Sequence, residues 1–522
     1  MHGGWDTIII GAGVGGLTAA AKLVKEGLRV LVLEKNPHPG GTAYVYKRKG
    51  FSFPMGPLGF SHPGLIERCL KDLGEDDDLQ FYRVRYRMRA FDLDIPLSLP
   101  FSEMKKELTR HFPTDAQGIE HFFKAIEEIN AASKFHDDHI DRSPIKRADE
   151  TSASEYLSEW VHDWRLRRIL GSLGTREPYS SISLLAAMWN LMCEQGIWYP
   201  KGGMRLFCER LANAVTSKKE GKGRDSGVIK LGTEVKKIRV EQGKVLGVTL
   251  SDGTKIDGAT VISNADYKTT FIKLMDPQVV PDSWYRAVLN ARQTGSILQI
   301  CLGVNSSKVD LSSFKEASRL IYKRSGATFH GEDELNWNVS QVDPKTIAGQ
   351  ELEVSLWSGD DTMLAPEEGA VIVIRTEADY SHFARYRSTW RKRLPEYYDY
   401  KMRLGQAILQ EIENLLPRLQ NSVIVMDVVT PLTFEEQGGR SEGAVAGWSW
   451  DYEDFHDYQA QELVRTPMRG LYMAGYQAFS ALFMGGVPTS MESGKRAASA
   501  VLLHVDPIDT IVIPGRKETF IS

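Results

Sequence analysis

The sequence lacks the usual marks of a disulfide-bonded, metal-binding or nucleic-acid-binding protein. Only four of its 522 residues are cysteines, and none forms a C-x-x-C pair, so neither a disulfide framework nor a metal site is signalled. The formal net charge is −4 and there is no polybasic block, which argues against nucleic acid as a partner. We therefore expect a reducing, cytoplasmic setting and no bound metal.

Long hydrophobic runs are also scarce. One run, residues 7–24, approaches the length of a membrane span or a signal-peptide core. Four glycines crowd into it and Lys22 interrupts it, so a strand, a turn and a helix explain it better. No other run approaches that length, so we expect any membrane contact to be peripheral.

The N-terminus contains a complete dinucleotide-binding pattern. Residues 7–10 form a short, partly β-branched run typical of a buried parallel strand, and Gly11-x-Gly13-x-x-Gly16 follows directly. These glycines permit a tight turn, close approach to a pyrophosphate and close packing of the next helix. Glu34 ends the second strand, about 20 residues later, where a carboxylate accepts hydrogen bonds from ribose and repels a 2′-phosphate. The pattern predicts FAD or NAD rather than NADP.

The rest of the chain divides into segments of different character. Its length allows two or three domains, and 42% hydrophobic with 25% charged residues is ordinary for a globular protein. Residues 74–195 are rich in helix formers and indicate an inserted unit, whereas residues 232–263 carry three strand signals. Further strand and helix patterns, assigned to the inserted unit, lie at residues 296–304, 369–375 and 401–416.

A second cofactor element is predicted near the C-terminus. Residues 471–474 form a short apolar strand pattern, and the Gly-Gly-Val-Pro run at 485–488 opens a helix. A helix N-terminus supplies positive dipole where a reduced flavin develops negative charge. Proline in the first turn of a ligand-free helix explains the same run. Its cofactor role therefore depends on the N-terminal pattern.

Together these motifs resemble those of the phytoene desaturase, carotenoid isomerase and retinol saturase superfamily of FAD-dependent enzymes. The resemblance also includes the Tyr-Pro-Lys-Gly-Gly run within residues 198–204 and the three strand signals around Val235. It implies an α/β fold, in which a Rossmann-type, glutathione-reductase-like FAD-binding domain carries an inserted mixed α+β substrate domain. The predicted boundaries are 1–75, 190–290 and 420–506 for the FAD-binding domain, 76–189 and 291–419 for the substrate domain, and 507–522 for a C-terminal tail.

The resemblance also implies which residues contact FAD. A valine at the position of Val235 contacts adenine through its backbone, and the turn at 485–488 presents N–H groups to the isoalloxazine ring. The predicted FAD-binding residues are Gly11, Gly13, Gly15, Gly16, Glu34, Lys35, Gly41, Thr42, Gly56, Val235, Gly475, Gly486, Val487 and Pro488.

The substrate is less well defined by the sequence. Residues 476–484 are bulky where the family usually carries glycine and proline, which crowds the flavin's dimethylbenzene side or the substrate tunnel. The predicted substrate residues are Trp198, Tyr199, Phe483 and Met484. Further tunnel candidates are Met188, Trp189, Met192 and Phe479, of which the first three also fit ordinary core packing.

No diagnostic catalytic constellation is visible, so no catalytic residue is assigned. The acid or base candidates near the expected cavity are Arg176, Glu177, Tyr179, Tyr199 and His62, the last of which fits an ordinary loop histidine better.

Two basic segments lie outside the cofactor motifs. Arg83, Arg85, Arg87 and Arg89 alternate with other residues, which predicts four guanidinium groups on one face of a strand. A solvated sheet face is the ordinary explanation, and binding of lipid headgroups or a substrate carboxylate is the functional one. Residues 385–403 are basic and aromatic. An ordinary solvated surface explains this composition, and contact with a membrane interface is the functional explanation.

The leading hypothesis is an FAD-dependent oxidoreductase that desaturates, saturates or isomerises C=C bonds of an apolar, isoprenoid or carotenoid-like substrate. No second glycine fingerprint follows a strand, so we expect an external electron acceptor or donor such as a quinone, oxygen or another protein. The alternatives are a flavin amine oxidase, which needs an aromatic cage, and a catalytically silent flavoprotein that binds a hydrophobic ligand. One scaffold supports all three.

Overall fold

The computed structural model describes residues 4–56, 59–75, 79–132, 148, 151–174, 181–217, 227–323, 351–449, 461–480 and 486–508. The predicted residues Arg176, Glu177, Tyr179, Phe483 and Met484 lie outside these ranges. The helices within them are α1 (Val14–Lys25), α2 (Pro63–Leu73), α3 (Phe101–His111), α4 (Ala116–Ala132), α5 (Ala153–Trp160), α6 (Trp164–Gly171), α7 (Ile182–Asn190), α8 (Gly203–Thr216), α9 (Asp282–Asn290), α10 (Tyr380–Ala384), α11 (Glu396–Ile412), α12 (Leu419–Ser422), α13 (Pro431–Gly438) and α14 (Gly486–Leu502).

The strands form two large sheets and several two-stranded ones. They are β1 (Trp5–Ile10), β2 (Val30–Leu33), β3 (Val45–Arg48), β4 (Phe51–Pro54), β5 (Phe81–Val84), β6 (Tyr86–Ala90), β7 (Leu93–Pro96), β8 (Ile197–Pro200), β9 (Gly227–Lys230), β10 (Val235–Glu241), β11 (Lys244–Leu250), β12 (Lys255–Ser263), β13 (Ser296–Asn305), β14 (Arg319–Lys323), β15 (Leu352–Leu356), β16 (Gly369–Ala378), β17 (Arg387–Thr389), β18 (Lys392–Arg393), β19 (Val423–Val429), β20 (Gln461–Glu462), β21 (Leu471–Met473) and β22 (Phe479–Ser480).

The first sheet has the order β10-β11-β12-β1-β2-β9, with β21 on the free side of β12. Strands β9, β2, β1, β12 and β21 are parallel, whereas β10, β11 and β12 form an antiparallel meander. Because parallel strands end at one edge of a sheet, the residues that follow β1, β2, β12 and β21 are brought together there. The predicted α/β, Rossmann-type class is confirmed.

Helices α1 and α14 cover this sheet and pack against each other unusually closely. A Cβ added at Gly494 of α14 would lie 2.3 Å from the Gly15 carbonyl oxygen of α1, and one added at Gly15 would lie 2.8 Å from the Gly475 nitrogen. Real side chains do not tolerate such contacts, so glycine is required on both helices. The first turn of α1 therefore packs against residues 490–494, which lie inside α14 rather than at its start.

The second sheet has the order β19-β13-β16-β15-β14-β6-β7 and two differently covered faces. Alternate residues of its strands, among them Leu298 and Ile374, share one buried core with Leu404 of α11. The residues between them, such as Ile297 and Val373, belong to the larger core that includes the first sheet. Side chains alternate with a period of two along a strand, so the odd-numbered positions of β13, β15 and β16 all face the first sheet.

One predicted boundary needs correction. The boundary at residue 420 assigned 423–429 to the FAD-binding domain, but β19 pairs with β13 at the edge of the second sheet. The apolar β13 has ladder partners on both sides, β16 and β19, and so lies inside the sheet. Nothing else tests the division into domains, which stays a prediction.

The predicted row of four arginines is also corrected. The strand is interrupted at Arg85: β5 pairs with β8, whereas β6 pairs with β14 and β7 in the second sheet. Arg83 donates to the Met192 and Cys193 carbonyl oxygens, 3.2 and 2.7 Å away, and Arg87 is paired with Asp94 at 2.7 Å. These arginines stabilise two separate sheets rather than forming one charged face.

Within the described ranges, no helix is long and apolar enough to cross a membrane. The four cysteines are buried and have free thiols.

Candidate active site

Two adjoining cavities open along the carboxyl edge of the first sheet. The strand-edge cavity holds about 500 Å³, and the inter-sheet cavity, between this edge and the second sheet, holds about 310 Å³. Both volumes are typical of ligand sites. The residues that line both cavities are Gly13, Gly41, Asn264 and Gly438. The arrangement is an elongated site suited to a long, two-ended ligand.

The glycine turn forms the junction of the two cavities. Gly11 has a φ of 94°, in the left-handed region that glycine adopts without strain. A Cβ at Gly16 would lie 2.2 Å from the Gly11 carbonyl oxygen, which explains the third glycine of the fingerprint. Helix α1 begins after Gly13 and has no side-chain cap, so its N-terminal N–H groups suit an anion.

The strand-edge cavity contains the residues predicted for the adenosine half of the cofactor. Glu34 is buried there, and its carboxylate accepts hydrogen bonds from the Ala12 and Asn36 N–H groups at 2.8 and 2.9 Å. Lys35 donates to the Glu436 carbonyl oxygen at 3.3 Å, and burial lowers the pKa of its amine. Val235 lines the same cavity. The geometry thus groups these three residues, and their contacts with FAD stay predictions.

The inter-sheet cavity contains part of the turn predicted for the isoalloxazine ring and other predicted FAD-binding residues. Its lining includes Thr42, Gly56, Gly475, Gly486 and Val487. Helix α14 starts at Gly486, so its N-terminus faces this cavity, as the sequence predicted. Pro488 is buried in the first turn, which suits its fixed φ.

Asn264, which the sequence did not single out, touches the whole junction. It follows β12, lines both cavities and would meet a Cβ added at Gly13, Gly15 or Gly16 at 2.7, 2.7 and 3.2 Å. Its buried amide oxygen has no hydrogen-bond partner among the described residues. A buried acceptor without a partner is costly, and the ribityl hydroxyls of FAD are donors of the right kind. The residues present therefore fit FAD.

Arg440 is a second residue that sequence reasoning missed. Its guanidinium donates to the Thr42 hydroxyl at 2.8 Å and lies 4.5 Å from the centre of the Tyr476 ring. Burial lowers the pKa of Arg440 and raises that of Tyr476. This arrangement places a cation and an aromatic ring at the edge of the inter-sheet cavity.

Two charged residues of the second sheet also reach the inter-sheet cavity. Glu353 of β15 and Arg375 of β16 are cross-strand partners, and both line it. Tyr86 donates to Glu353 Oε1 at 3.1 Å, and Arg375 donates to Gln299 Oε1 at 2.7 Å. Burial raises the pKa of Glu353, although Arg375, Arg319 and Tyr86 oppose this. A charge between two apolar residues, as in Leu352-Glu353-Val354, is the sequence signal that would have found Glu353.

Several predicted residues lie away from these two cavities. Trp198 and Tyr199 lie on β8 and are not among the lining residues; the Tyr199 hydroxyl accepts from Trp357 Nε1 at 3.1 Å. Their contact with substrate stays a prediction. Trp189 and Met192 are buried in the core, which confirms the ordinary packing explanation.

Met188 packs, partly buried, against the same core. His62 and Phe479 are placed by local contacts. His62 precedes α2, bonds to the Ser61 hydroxyl at 2.8 Å, and has a pKa lowered by burial. Phe479 is buried, with the Arg496 guanidinium 4.3 Å from its ring centre. Neither of them is among the residues that line the two cavities.

Comparison with known families decides the class of protein. The sequence profile of the family described as flavin containing amine oxidoreductase matches residues 14–374. The chain belongs to this family. Membership confirms the predicted cofactor, FAD, and shows that the chain is an FAD-dependent oxidoreductase.

Three similar proteins of known name confirm the more specific resemblance. The inactive all-trans-retinol 13,14-reductase of Danio rerio is 25% identical, covering 96% of this chain and 87% of its own. The phytoene desaturase of Fusarium fujikuroi is 25% identical, with 95% and 89% covered. The chloroplastic prolycopene isomerase of Daucus carota is 26% identical, with 84% and 71% covered.

Solved structures of similar fold support the same assignment of architecture. An oxidoreductase from Methanosarcina mazei superposes with a TM-score of 0.62 at 17% identity, covering 95% of this chain and 99% of its own. Putrescine oxidase bound to putrescine gives a TM-score of 0.60 at 16% identity, with 96% and 99% covered. At these identities the likeness shows a shared flavoprotein fold and nothing about the substrate.

The raised pKa of Glu353 predicts a pH-dependent stability. Because the folded carboxyl has a pKa above its ordinary value of 4.5, the folded protein binds more protons than the unfolded chain above that pH. Stability should therefore decline as the pH rises from about 4.5 through the folded pKa, and Glu353→Gln should flatten this part of the curve. Thermal unfolding midpoints measured across this range, with and without the substitution, check it; parallel curves would contradict it.

Proposed function

We propose that the protein desaturates, saturates or isomerises C=C bonds of an apolar, isoprenoid or carotenoid-like substrate with FAD as its cofactor. The observation that carries the proposal is the inter-sheet cavity, which joins the predicted flavin residues to the face of a second sheet. Two relatives that extend over most of the chain are named for isomerising prolycopene and desaturating phytoene, and a third is named an inactive all-trans-retinol 13,14-reductase. The site and the relatives therefore support the same reaction class.

In this reaction the protein's own residues bind and orient the cofactor and enclose its flavin end. Bound FAD supplies the exchange of hydride with a C–H or C=C group. The α1 N-terminus is suited to the pyrophosphate, and the α14 N-terminus provides a positive dipole beside the flavin end of the site. The second sheet covers that end and limits access of water, which strengthens electrostatic interactions there.

The direction of hydrogen transfer is tested by the visible spectrum of the flavin. The purified holoprotein is mixed anaerobically with isoprenoid and carotenoid polyenes, first as the oxidised enzyme and then after chemical reduction. We expect a polyene either to bleach the oxidised flavin, which indicates desaturation, or to reoxidise the reduced flavin, which indicates saturation. An isomerase would change the polyene without net flavin turnover, which chromatography of the polyene detects.

The same experiment also tests the competing function, amine oxidation. Primary amines and polyamines are added in parallel, because the family profile is named for amine oxidoreductases. Bleaching by an amine, with no response to any polyene, would contradict the proposal and support an amine oxidase. A flavin that responds to neither class would support a silent binding protein.

The partners follow from the proposed reaction. A hydrophobic small molecule is the substrate, and an external quinone, oxygen or protein completes the electron transfer. We also propose a cytoplasmic protein with peripheral membrane contact, where an apolar substrate partitions. Exposed Leu394 and Tyr398, close in sequence to the exposed Arg391 and Lys392, support this contact. Sedimentation with liposomes that contain anionic lipid tests it, and an unbound protein at low salt would contradict it.

A further inference from the structure

Glu353 is a partly buried carboxyl of the inter-sheet cavity that the binding of FAD does not explain. It is the second residue of β15, between Leu352 and Val354, which pack into the core on the opposite face of the sheet. The alternation of strand side chains therefore places its carboxyl in the inter-sheet cavity, which it lines together with Arg375. Burying an apolar side chain at this position would cost less free energy of folding, because a carboxyl loses favourable hydration when it is desolvated.

Among the described residues, a hydrogen bond and two nearby arginines position the Glu353 carboxyl, and none of them forms an ion pair with it. Tyr86 from β6 donates a hydrogen bond to Oε1 at 3.1 Å. Arg375 from β16 and Arg319 from β14 are the charged groups that act on it, and both favour the carboxylate. Arg319 is itself paired with Asp360 at 2.5 Å, and Arg375 is hydrogen-bonded to Gln299 and to the Gly56 carbonyl oxygen.

The proposed chemistry needs a proton as well as a hydride. Saturation of a C=C bond adds hydride to one carbon and a proton to its neighbour, and desaturation removes the same pair. The described residues that line the inter-sheet cavity include three other ionisable side chains besides Glu353, namely Arg375, Arg440 and Tyr476. Arginine stays protonated in proteins, and burial raises the pKa of Tyr476. Glu353 is the group in this lining that can both give and take a proton.

We infer that Glu353 exchanges the proton with the substrate carbon adjacent to the one that exchanges hydride with the flavin, an inference that rests on the proposed function. In saturation, the carbon–carbon π bond breaks, one carbon gains hydride from the reduced flavin, and the other gains the Glu353 proton. The carboxylate then regains a proton from water. In desaturation each transfer runs in reverse, and the flavin is the oxidant. Tyr86 is a positioning residue, whose hydrogen bond stabilises the carboxylate.

The first test measures the transfer step with the holoenzyme. Glu353→Gln keeps the side-chain volume but removes the exchangeable proton. We expect the rate of flavin oxidation or reduction by a responsive polyene to fall about 10²- to 10⁴-fold, the usual contribution of a positioned acid or base. An unchanged rate in Glu353→Gln would overturn the inference.

Tyr86→Phe separates proton exchange from a structural role. The Tyr86 hydrogen bond lowers the pKa of Glu353, so its loss should move the limb of the pH–rate profile that reports Glu353 to higher pH. A carboxylate that serves only as a partner for Arg375 would give no such shift. A profile that stays in place while the rate falls would therefore count against proton exchange.

A measurement without substrate distinguishes failure of this inference from failure of the proposed function. The flavin absorption of the holoenzyme is titrated with pH, since a carboxyl that ionises beside the ring perturbs the spectrum. We expect a transition above the ordinary glutamate range in wild type, absent in Glu353→Gln and retained in Glu316→Gln, whose carboxylate is 64% exposed. A transition that survives in Glu353→Gln, or that wild type lacks, would overturn the inference. Its presence with no polyene response would instead contradict the proposed function.

Discussion

Gly16→Ala is expected to weaken FAD binding about 10- to 100-fold. The new Cβ would lie 2.2 Å from the Gly11 carbonyl oxygen, a backbone atom that cannot move without displacing the turn between β1 and α1. Overpacking of this kind costs about 1–3 kcal/mol, and each 1.4 kcal/mol is about tenfold in affinity. The affinity is measured by adding FAD to the apoprotein and following the quenching of flavin fluorescence.

The matched control is Gly64→Ala. Gly64 lies in the first turn of α2, and its added Cβ would approach only the Arg68 guanidinium, at 3.6 Å. Alanine favours a helix over glycine, so this variant should bind FAD like wild type and be at least as stable. If Gly16→Ala retained wild-type affinity, the turn would not contact the cofactor as the structure implies.

Glu436→Gln is expected to destabilise the protein by about 3–5 kcal/mol, the range seen when one partner of a buried ion pair is removed. The Glu436 carboxylate receives two hydrogen bonds from Arg393, at 2.9 and 2.7 Å, and lies 3.2 Å from Arg387. Glu436 and Arg393 are 7% and 8% exposed, so the arginines would keep their charge with little access to water. The unfolding midpoint in urea is the measurement.

Asp399→Asn serves as the control for this variant. Asp399 pairs with Arg403 at 2.9 Å on α11, but both side chains are more than half exposed, and such pairs contribute little. We expect an unfolding midpoint close to that of wild type. Equal effects from the two substitutions would show that burial does not govern these ion pairs.

The ion-pair cluster formed by Arg387, Arg393, Glu435 and Glu436 also shapes the cofactor site. It connects the β17–β18 hairpin to α13. Trp390 in that hairpin and Glu435 of α13 both line the strand-edge cavity. The sequence suggested a basic, solvated or membrane-facing segment at residues 385–403. The structure shows that two of its arginines, Arg387 and Arg393, are instead ion-pair partners of Glu435 and Glu436, with side chains only 19% and 8% exposed.

Local patterns were sufficient to predict the first half of the site. The strand, glycine turn and helix at 5–25 lie within one short segment, so their spacing alone specifies the β1–α1 geometry. The Gly-Gly-Val-Pro run predicted the start of α14 for the same reason. Such motifs are read without knowledge of the rest of the chain.

The other half of the site depends on contacts between distant segments. Asn264 reaches the glycine turn because β12 pairs with β1, more than 250 residues apart in sequence. Glu353 and Arg375 meet only through the register of β15 with β16, and a shift of one residue in either strand would turn its charged residue toward the opposite core. The arginine row failed for a related reason, since its strand divides between two sheets.

The most direct test of the account is a crystal structure of the holoprotein. We expect one FAD, with its adenine beside Val235 in the strand-edge cavity and its pyrophosphate at the α1 N-terminus. The isoalloxazine ring should lie in the inter-sheet cavity, between the α14 N-terminus and the face of the second sheet that carries Glu353. A ring placed outside that cavity, or a protein purified and crystallised with added FAD that contains none, would contradict the account.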